Sequence, residues 1–448
     1  MNVAHNIPQS TESILVVGLG LTGYSIVRHL RSQGADITVA DSRFHPPYLF
    51  QVKQEFPDVE IITGQIPVDR FSEFDEVVTS PGLDIGVTAD TGAMRLIGDI
   101  ELFTRSADAP VIGITGSNGK STVTMLVSEI LAGGGFNVKT GGNIGIPALD
   151  LLDGEKPDFY VLELSSFQLE ATYSLALKSA TVLNISEDHM DRYGSLDAYV
   201  SAKRRIFDHT ESIVVNRDEP RPVAPVGKDI KVISFGLSMP ERDCEFGVRV
   251  VAGTRCLVFG DSVLVPESEL VLQGEQNVSN ILAAMALVSA AGVELTKTMI
   301  GAAVNYGGLP HRCELVAEYN SVKWINDSKG TNVGATVAAL KGFKQSVVLI
   351  AGGKGKGANF EQLSREILKS VKYTILIGED AGKIDRTLDP SSERSIAVTL
   401  EDAVLLAMKV ADPGNVVLFS PACASFDMFD SYEHRGNVFK QLVMERVH

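Results

Sequence analysis

The sequence GITGSNGKST at residues 113–122 constrains the fold more than any other segment. It continues the apolar run APVIGITG at residues 109–116, which is typical of a buried strand, and it leads into a helical pattern. A strand, a glycine-rich loop and a helix in this order indicate an α/β unit. The loop backbone and the helix N-terminus together favour a bound phosphate. The segment therefore predicts a phosphate-binding loop at the end of a buried strand.

The polar residues at the end of this loop have the chemistry that a nucleoside triphosphate requires. Lys120 can neutralise β and γ phosphate oxygens, and Ser121 or Thr122 can supply an oxygen to Mg²⁺. The common Walker pattern would place a glycine at position 114, but Ile114 stands there and the glycine is Gly113. The loop departs from the common form, and an ordinary glycine-rich turn remains the alternative at this point.

The length and charge of the chain narrow the class of protein. Its 448 residues suggest about three domains, and 44% hydrophobic with 21% charged residues is typical of a globular protein. A net charge of −16 disfavours a broad nucleic-acid surface, so an anionic ligand needs locally concentrated positive charge. The first residues do not resemble a signal peptide, and no apolar run reaches the ~18 residues of a membrane span. We expect a monomeric cytoplasmic protein that binds neither nucleic acid nor a membrane.

The first block of the chain has the pattern of a dinucleotide-binding unit. A strand at residues 13–20, a helix to about residue 33 and a strand at 37–41 follow one another. The glycine pattern GxGxxG is formed by Gly18, Gly20 and Gly23. Asp41 follows 18 residues after the last glycine, where an acid would bind a ribose. An NAD-binding site and a glycine turn needed only for packing are both open from this pattern, and residues 75–98 fit further β/α units.

Two more α/β blocks follow. Strand patterns at 159–166, 180–186 and 212–216 continue the block that carries the phosphate loop, and alternating β segments at 231–272 precede a helix at 277–291. The third block, from near Leu309, alternates apolar strands and helices in the manner of a doubly wound parallel sheet. We predict domains at residues 1–98, 99–308 and 309–448. Three polar segments follow strands of the third block, where ligands bind such sheets: NDSKGTN at 326–332, GGKGKG at 352–357 and SPACAS at 420–425.

Four polar residues stand near strand ends of the second block. Asn143 lies in GGNIG, Glu163 ends a strand, His189 follows the next strand, and Lys203 lies on a helix beyond it. Each could be an ordinary loop or surface residue when taken alone. Together they follow successive strands of the sheet that carries the phosphate loop, so we expect them to converge there.

Over essentially its whole length the chain resembles the Mur ligase family. The motifs that carry the resemblance are GSNGKST, GGNIG, ELSSFQLE, EDHMDRYG, SAKRRIF, HRCE, NDSKGTN and SPACASFDMF, in this order. The resemblance implies an α/β protein of three domains. A Rossmann-like N-terminal domain holds a uridine nucleotide precursor, a central P-loop domain holds ATP, and a Rossmann-like, doubly wound C-terminal domain brings the amino acid.

The resemblance also implies roles for residues that match the family motifs. ATP would be bound by Gly116, Ser117, Asn118, Gly119, Lys120, Ser121, Thr122, Val123, Asn277, Asn280, Arg312, Asp327 and Lys329. The UDP precursor would be bound by Leu21, Thr22, Asp41, Ser42, Arg43, Gly82, Asn143 and His189. The amino acid would be bound by Thr331, Lys356, Ser425 and Tyr432. Two Mg²⁺ ions would be held by Ser121, Glu163, His189 and a carbamylated Lys203. The expected catalytic set is Lys120, Glu163, His189 and Lys203.

The activity implied by the resemblance is ATP-dependent addition of D-glutamate to UDP-N-acetylmuramoyl-L-alanine through an acyl phosphate, in cytoplasmic peptidoglycan precursor synthesis. Sister ligases for other amino acids and folylpolyglutamate synthases are the nearest alternatives, and an NAD-dependent oxidoreductase or a nucleotide-sensing module represents other classes. Three positions depart from the common family pattern: Gly330, Lys354 and Tyr432. Whether His189 acts as a base or contacts the metal is also open.

Overall fold

The computed structural model describes residues 12–83, 96–190, 192–219, 230–272 and 274–446, which form three β-sheets covered by helices. This arrangement confirms the predicted α/β class. None of the helices within these ranges combines the length and apolar character needed to cross a bilayer.

The first sheet is parallel, with the strand order β3-β2-β1-β4-β5. Its strands are β1 (Ser13–Val17), β2 (Asp36–Asp41), β3 (Glu60–Thr63), β4 (Glu76–Thr79) and β5 (Leu96–Gly98). Its helices are α1 (Leu21–Ser32), α2 (Leu49–Glu55) and a 3-10 helix at Val68–Glu73. The predicted strand, turn, helix and strand are thus confirmed, while residues 84–95 of the last predicted unit lie outside the described residues. The strand order changes direction between β1 and β4, which opens a crevice at their carboxyl ends.

Two of the three fingerprint glycines are required by packing. A Cβ on Gly23 would lie 1.8 Å from the carbonyl oxygen of Gly18, and Gly18 itself has a φ of +96°. A Cβ on Gly20 would meet nothing within 4 Å. The turn therefore brings α1 close to β1, as the packing interpretation of the glycines expected.

The second sheet has nine strands in the order β14-β13-β12-β11-β10-β9-β6-β8-β7. Strands β6 to β12 pair in parallel, whereas β12, β13 and β14 form an antiparallel edge. The parallel strands before the edge are β6 (Val111–Thr115), β7 (Val138–Gly142), β8 (Phe159–Glu163), β9 (Ser179–Val182), β10 (Ser212–Asn216) and β11 (Lys231–Phe235). The edge comprises β12 (Glu245–Val251), β13 (Thr254–Phe259) and β14 (Ser262–Pro266). Strand β7 did not stand out in the sequence, and it ends immediately before Asn143.

Helices cover both faces of this sheet. They are α3 (Asp99–Ser106), α4 (Lys120–Gly133), α5 (Ser166–Glu170), α6 (Leu196–Arg204), α7 (Glu275–Ala290) and α8 (Lys297–Asn305), with 3-10 helices at Ala148–Leu152, Arg205–Phe207 and Glu267–Glu269. Helix α4 buries Val123, Leu126, Val127 and Ile130, which recur at the spacing of one helical face. Burial of this face against the sheet fixes the helix that follows the phosphate loop.

The third sheet has six strands in the order β15-β16-β20-β17-β18-β19. They are β15 (Glu314–Tyr319), β16 (Val322–Asn326), β17 (Val347–Gly352), β18 (Val371–Ile377), β19 (Arg394–Ile396) and β20 (Val416–Phe419). Its helices are α9 (Val333–Lys341), α10 (Glu361–Ser370), α11 (Ala381–Thr387), α12 (Leu400–Val410) and α13 (Tyr432–Arg446). The predicted doubly wound parallel sheet is confirmed for β16 to β20, and β15, which the sequence did not predict, adds an antiparallel hairpin with β16. The three polar segments follow β16, β17 and β20, which are neighbours in the sheet, so their loops share one edge as predicted.

Helix α3 attaches the first sheet to the second. The first turn of α3 carries two buried carboxylates, Asp99 and Glu101. Asp99 Oδ2 accepts from Gln168 Nε2 at 3.0 Å. Glu101 accepts the backbone N–H groups of Tyr173 and Ser174 at 2.7 and 3.0 Å. These buried bonds join the start of α3 to the segment around α5.

Candidate functional site

The phosphate loop lies between β6 and α4 and depends on two glycines with positive φ. Gly116 has a φ of +149° and Gly119 a φ of +84°, and a Cβ on Gly119 would lie 2.7 Å from Asn280 Oδ1. Asn184 accepts two hydrogen bonds from the loop: its Oδ1 accepts from the N–H of Asn118 at 2.8 Å, and its backbone carbonyl accepts from the N–H of Ser117 at 2.9 Å. The loop is therefore held by the segment after β9 and leaves no room for a side chain at position 119.

Lys120 turns back over its own loop. Its Nζ donates to the carbonyl oxygens of Gly116 at 2.9 Å and Ser117 at 3.0 Å. Burial lowers the pKa of Lys120, although the nearby carboxylates of Glu163 and Asp188 oppose the shift. The ammonium is thus fixed at the loop, where it can face the phosphates of a nucleotide.

Glu163 and Ser121 lie beside this lysine and carry oxygen atoms suited to a hard cation. Glu163 is 3% exposed; its Oε1 accepts from Asn143 Nδ2 at 2.7 Å, whereas its buried Oε2 has no hydrogen-bond partner. Ser121 Oγ accepts from Arg312 Nη2 at 2.6 Å. Within the described ranges, no three His, Cys, Asp or Glu side chains cluster as a complete metal site. The orphaned carboxylate oxygen nevertheless fits Mg²⁺, which prefers oxygen ligands and keeps several waters.

Lys203 lies on α6, and its side chain is buried against β6 of the second sheet, with 1% of its surface exposed. Its Nζ donates to Thr115 Oγ1 at 3.5 Å and lies 4.5 Å from the centre of the Tyr199 ring. Burial lowers the pKa of Lys203 well below its usual value; Lys120 adds to this shift, while Asp188 and Glu163 oppose it. The amine is therefore shifted toward its neutral, nucleophilic form.

Several cations meet at this centre in an acidic protein. Lys120, Arg312 and Lys329 lie around the buried amine of Lys203, and the carboxylates that interact with these groups are Glu163, Asp188 and Glu433. Three cations thus come together in a chain whose formal charge is −16, and an anionic ligand can bind beside them.

His189 connects this centre with the first sheet. Its backbone is in the left-handed region at a φ of +56°, and its ring packs edge-on against Phe167 with 5.0 Å between ring centres. Helix α5 holds Phe167 through a capping box in which Ser165 and Gln168 bond each other's backbone N–H groups. A Cβ on Gly82 would lie 3.8 Å from the Phe167 ring, so the loop after β4 reaches the same place.

The predicted precursor residues lie at the carboxyl edge of the first sheet. Leu21, Ser42, Arg43 and Gly82 are exposed, and Thr22 is half-buried. Asp41 differs from them, because it is buried and both of its oxygens accept hydrogen bonds, from the N–H of Leu19 and from the backbone and guanidinium of Arg43. Burial alone would raise the pKa of Asp41, but the bonds from Arg43 and Leu19 hold it at about 2. The carboxylate thus orients Arg43 and has no free oxygen for a ribose hydroxyl, which weakens the NAD alternative.

The third sheet brings Arg312, Lys329 and Tyr432 to the phosphate loop. Lys329 Nζ lies 3.7 Å from the centre of the Tyr432 ring, and charge interactions link it to Arg312, Glu163 and Lys120. Asp327 is different: Oδ1 accepts from the N–H of Cys313 and Oδ2 from Ser420 Oγ, and burial raises the pKa of Asp327 to about 6. Its carboxylate is therefore engaged inside the domain.

The remaining predicted residues lie around this centre. Thr331, Lys356 and Ser425 are on the three neighbouring loops of the third sheet, and Lys354 is exposed beside them. Asn277 and Asn280 start α7, where Asn280 Nδ2 donates to Asn277 Oδ1 at 3.4 Å. Thr122 and Val123 are buried in the first turn of α4.

A cleft of about 670 Å³ opens beside the loop, between the second and third sheets. Asn118, Asn184 and Asn280 line one side, and Val333 and Lys341 of α9 line the other. The cleft thus adjoins the phosphate loop and is large enough for an organic ligand.

Two site residues were not singled out by sequence reasoning. Asn332 caps α9 and contacts Asn118, and an Asn before an apolar helical run is a signal that could have revealed it. Arg435 is fully buried and donates to the carbonyls of Ser328 and Cys423 at 2.8 and 3.1 Å, which ties two of the third-sheet loops together. No sequence signal marks this arginine, because it stands among the polar residues Glu433, His434 and Asn437 of the same helix.

Lys329 should make the free energy of unfolding depend on pH. Burial, reinforced by Arg312, lowers its pKa from 10.5 to about 8, so between these values the unfolded chain holds a proton that the folded chain lacks. Stability contributed through this group therefore rises with pH across that window. The free energy of unfolding can be measured in urea at about pH 7 and about pH 9.5. Between these pH values it should rise by on the order of 1 kcal/mol more in the unsubstituted protein than in Lys329→Met. A difference between the two proteins that is the same at both pH values would contradict the burial of the ammonium.

Comparison with known proteins identifies relatives over the full length. Family models match residues 12–94 (Mur ligase MurD-like, N-terminal domain), 114–288 (Mur ligase middle domain) and 311–423 (Mur ligase, glutamate ligase domain). The chain is 47% identical to the UDP-N-acetylmuramoylalanine--D-glutamate ligase of Marinobacter nauticus, over 97% of this chain and 98% of that protein. It is 45% identical to the protein of the same name from Nitrosococcus oceani, over 98% of each chain.

Solved structures share the fold at low sequence identity. A pseudomurein peptide ligase type C from Methanothermus fervidus has a TM-score of 0.62 at 18% identity, covering 98% of this chain and 100% of the other. The UDP-N-acetylmuramate-alanine ligase MurC of Thermotoga maritima has a TM-score of 0.60 at 17% identity, covering 97% and 99%. With the full-length relatives and three matching family models, these show that the chain is a ligase of the Mur ligase family.

Proposed function

We propose that this enzyme uses ATP to join the alanine carboxylate of UDP-N-acetylmuramoyl-L-alanine to the amine of D-glutamate, in cytoplasmic peptidoglycan precursor synthesis. The observation that carries the proposal is the meeting of three sheets at Lys120. Arg312 and Lys329 contact this region from the third sheet. His189 packs against Phe167, which lies beside Gly82 of the first sheet. The name shared by the full-length relatives supports this substrate pair.

The reaction needs activation because a carboxylate oxygen is a poor leaving group. In the first step the alanine carboxylate attacks the γ-phosphorus of ATP, the bond to the bridging oxygen breaks, and ADP leaves with the electron pair. The resulting acyl phosphate is attacked at carbon by the amine of D-glutamate. Phosphate then leaves, the amine loses a proton, and an amide remains. The sequence of steps requires no covalent bond to the enzyme.

The cationic centre has the chemistry that these steps demand. Two unit charges about 4 Å apart repel by ~1 kcal/mol in water but by ~4 kcal/mol at an effective dielectric constant near 20. ATP, the precursor and D-glutamate are all anions, so several such repulsions oppose their approach. Lys120, Arg312 and Lys329 offset them, and fixed charges of this kind stabilise the charge that develops in the transition state.

Bound Mg²⁺ would neutralise phosphate charge and align the reacting oxygens. We assign two such ions to Ser121, Glu163, His189 and Lys203, and the orphaned Oε2 of Glu163 supports this assignment. Lys203 would become a suitable ligand when its neutral amine attacks CO₂: a nitrogen–carbon bond forms as one carbon–oxygen π bond opens onto oxygen, the nitrogen loses a proton to solvent, and an anionic carbamate replaces the neutral amine. The buried position of the amine and its lowered pKa favour that reaction.

The surroundings of the centre suggest how the substrates are divided. We assign the nucleoside of ATP to the cleft beside Asn118 and Asn280, the precursor to the exposed edge of the first sheet, and D-glutamate to the loops of Thr331, Lys356 and Ser425. His189 lies between the precursor edge and the centre, so it can contact either a metal or the substrate. We place the domains at residues 1–98, 99–308 and 309–448; the attachment of α3 to the second sheet supports the first boundary. A monomer suffices, because one chain supplies all three regions.

Phosphate release tests the proposed function. With UDP-N-acetylmuramoyl-L-alanine and ATP, D-glutamate should stimulate release more than any other D- or L-amino acid in a screen. Lys120→Ala should keep the fold, as judged by circular dichroism, and lose turnover by at least about a thousandfold, because the fixed charge at the loop is gone. Stimulation by a different amino acid would overturn the substrate assignment, and wild-type rates for Lys120→Ala would overturn the role of the loop.

Chemical rescue tests the role of Lys203. Lys203→Ala should abolish phosphate release, and bicarbonate or a short-chain carboxylate should restore part of it by occupying the position of the carbamate. The matched control is Lys178→Ala, which removes an exposed ion pair with Glu211 and should leave the rate within about twofold, since such pairs contribute little. Absence of rescue by every carboxylate would argue against carbamylation.

A further inference from the structure

The first turn of α9 makes a contact with the phosphate loop that the assigned site residues do not explain. Asn332 caps this helix through Oδ1, which accepts from the N–H of Ala335 at 2.9 Å. Its Nδ2 donates to Asn118 Oδ1 at 3.2 Å and to Asp188 Oδ2 at 3.4 Å. A single side chain thus joins a helix of the third sheet to two segments of the ATP-binding centre.

The partners of Asn332 are themselves fixed. Asn118 donates from its backbone N–H to Asn184 Oδ1 at 2.8 Å and from Nδ2 to Ser186 Oγ at 3.2 Å. Asp188 accepts the N–H of His189 on Oδ1 at 3.0 Å. Asn118 Oδ1 and Asp188 Oδ2 are therefore held in place for a donor that comes from the third sheet.

A glycine allows α9 to approach this closely. A Cβ on Gly334 would lie 2.8 Å from Ser186 Oγ and 3.0 Å from Ser186 Cβ. Both distances are shorter than ordinary van der Waals contact, so a larger residue would displace either α9 or Ser186, whose hydroxyl accepts from Asn118. Asn332 itself is 8% exposed, so its bonds to Asn118 and Asp188 lie in a largely buried contact.

We propose that Asn332 is a positioning residue that couples occupation of the phosphate loop to the placement of the amino-acid substrate. It directly follows Thr331 and stands three residues after Lys329. A nucleotide that contacts both the phosphate loop and the third sheet favours the arrangement in which Asn332 reaches Asn118 and Asp188, and the short peptide link then fixes Thr331 and Lys329. Because coupling of this kind is reciprocal, the amino acid should also strengthen nucleotide binding. The inference rests on the proposed ligase function.

The experiment compares substitutions that separate capping from coupling. Asp and Ser cap helices about as well as Asn, but neither can donate to both Asn118 Oδ1 and Asp188 Oδ2. Asn332→Ser should raise the KM for the amino acid about tenfold at saturating ATP, the effect of losing one or two hydrogen bonds. By reciprocity the KM for ATP at saturating amino acid should rise by a similar factor, whereas the affinity for ATP without the amino acid should stay within about twofold. Asn332→Asp should have a larger effect, because its carboxylate faces that of Asp188. The thermal midpoints of both variants should stay close to that of the unsubstituted enzyme.

Gly334→Ala tests the same contact by steric means and should also raise the KM for the amino acid. Its control is Gly301→Ala in α8, where a Cβ meets nothing within 4 Å and no kinetic change is expected. Wild-type KM values for Asn332→Asp and Gly334→Ala would overturn the proposal and leave Asn332 a helix cap only. The amino acid used is the one that best stimulates the unsubstituted enzyme, so failure of D-glutamate in the screen would count against the proposed function alone.

Discussion

The bonds from the Lys120 ammonium to the carbonyl oxygens of its own loop are the interaction on which the site depends. They keep a buried cation at the loop that a triphosphate can approach. A lysine that pointed into solvent would be screened by water and by salt, and its charge would contribute little. Burial lowers its pKa and so carries a cost, which the nearby carboxylates of Glu163 and Asp188 partly offset. The carboxylates in turn are the groups that suit a divalent cation.

The parallel arrangement of strands explains why distant parts of the chain meet at this lysine. In each sheet the functional loops leave from the carboxyl ends of adjacent strands, as at β6, β8 and β9 in the second sheet. The third sheet presents β16, β17 and β20 in the same way, and Arg312 reaches Ser121 across the boundary. The first sheet approaches through Gly82, Phe167 and His189. Three regular sheets can therefore surround one small reaction volume.

Much of the fold could be predicted from the sequence because the strands are short apolar runs bounded by glycine or polar residues. Strand β7 was missed because VKTGG has little apolar character, and β15 was missed because an exposed edge strand need not be apolar. For the site, the order of strands predicted that Lys120, Glu163 and Lys203 converge, and their side chains do lie close enough to interact. Individual side-chain hydrogen bonds could not be predicted. Nothing in DSRF shows that the oxygens of Asp41 accept from Arg43, and nothing near Arg435 shows that it bonds to two loops of the third sheet.

Activation through an acyl phosphate requires that the precursor carboxylate, rather than the amino acid or the enzyme, attacks the γ-phosphorus. The most direct test uses UDP-N-acetylmuramoyl-L-alanine with ¹⁸O in both oxygens of the alanine carboxylate, turned over with ATP and D-glutamate. Mass spectrometry of the products should find one ¹⁸O atom in the released phosphate and the other in the new amide. Label in AMP, or unlabelled phosphate together with an amide that keeps only one ¹⁸O, would contradict activation through an acyl phosphate.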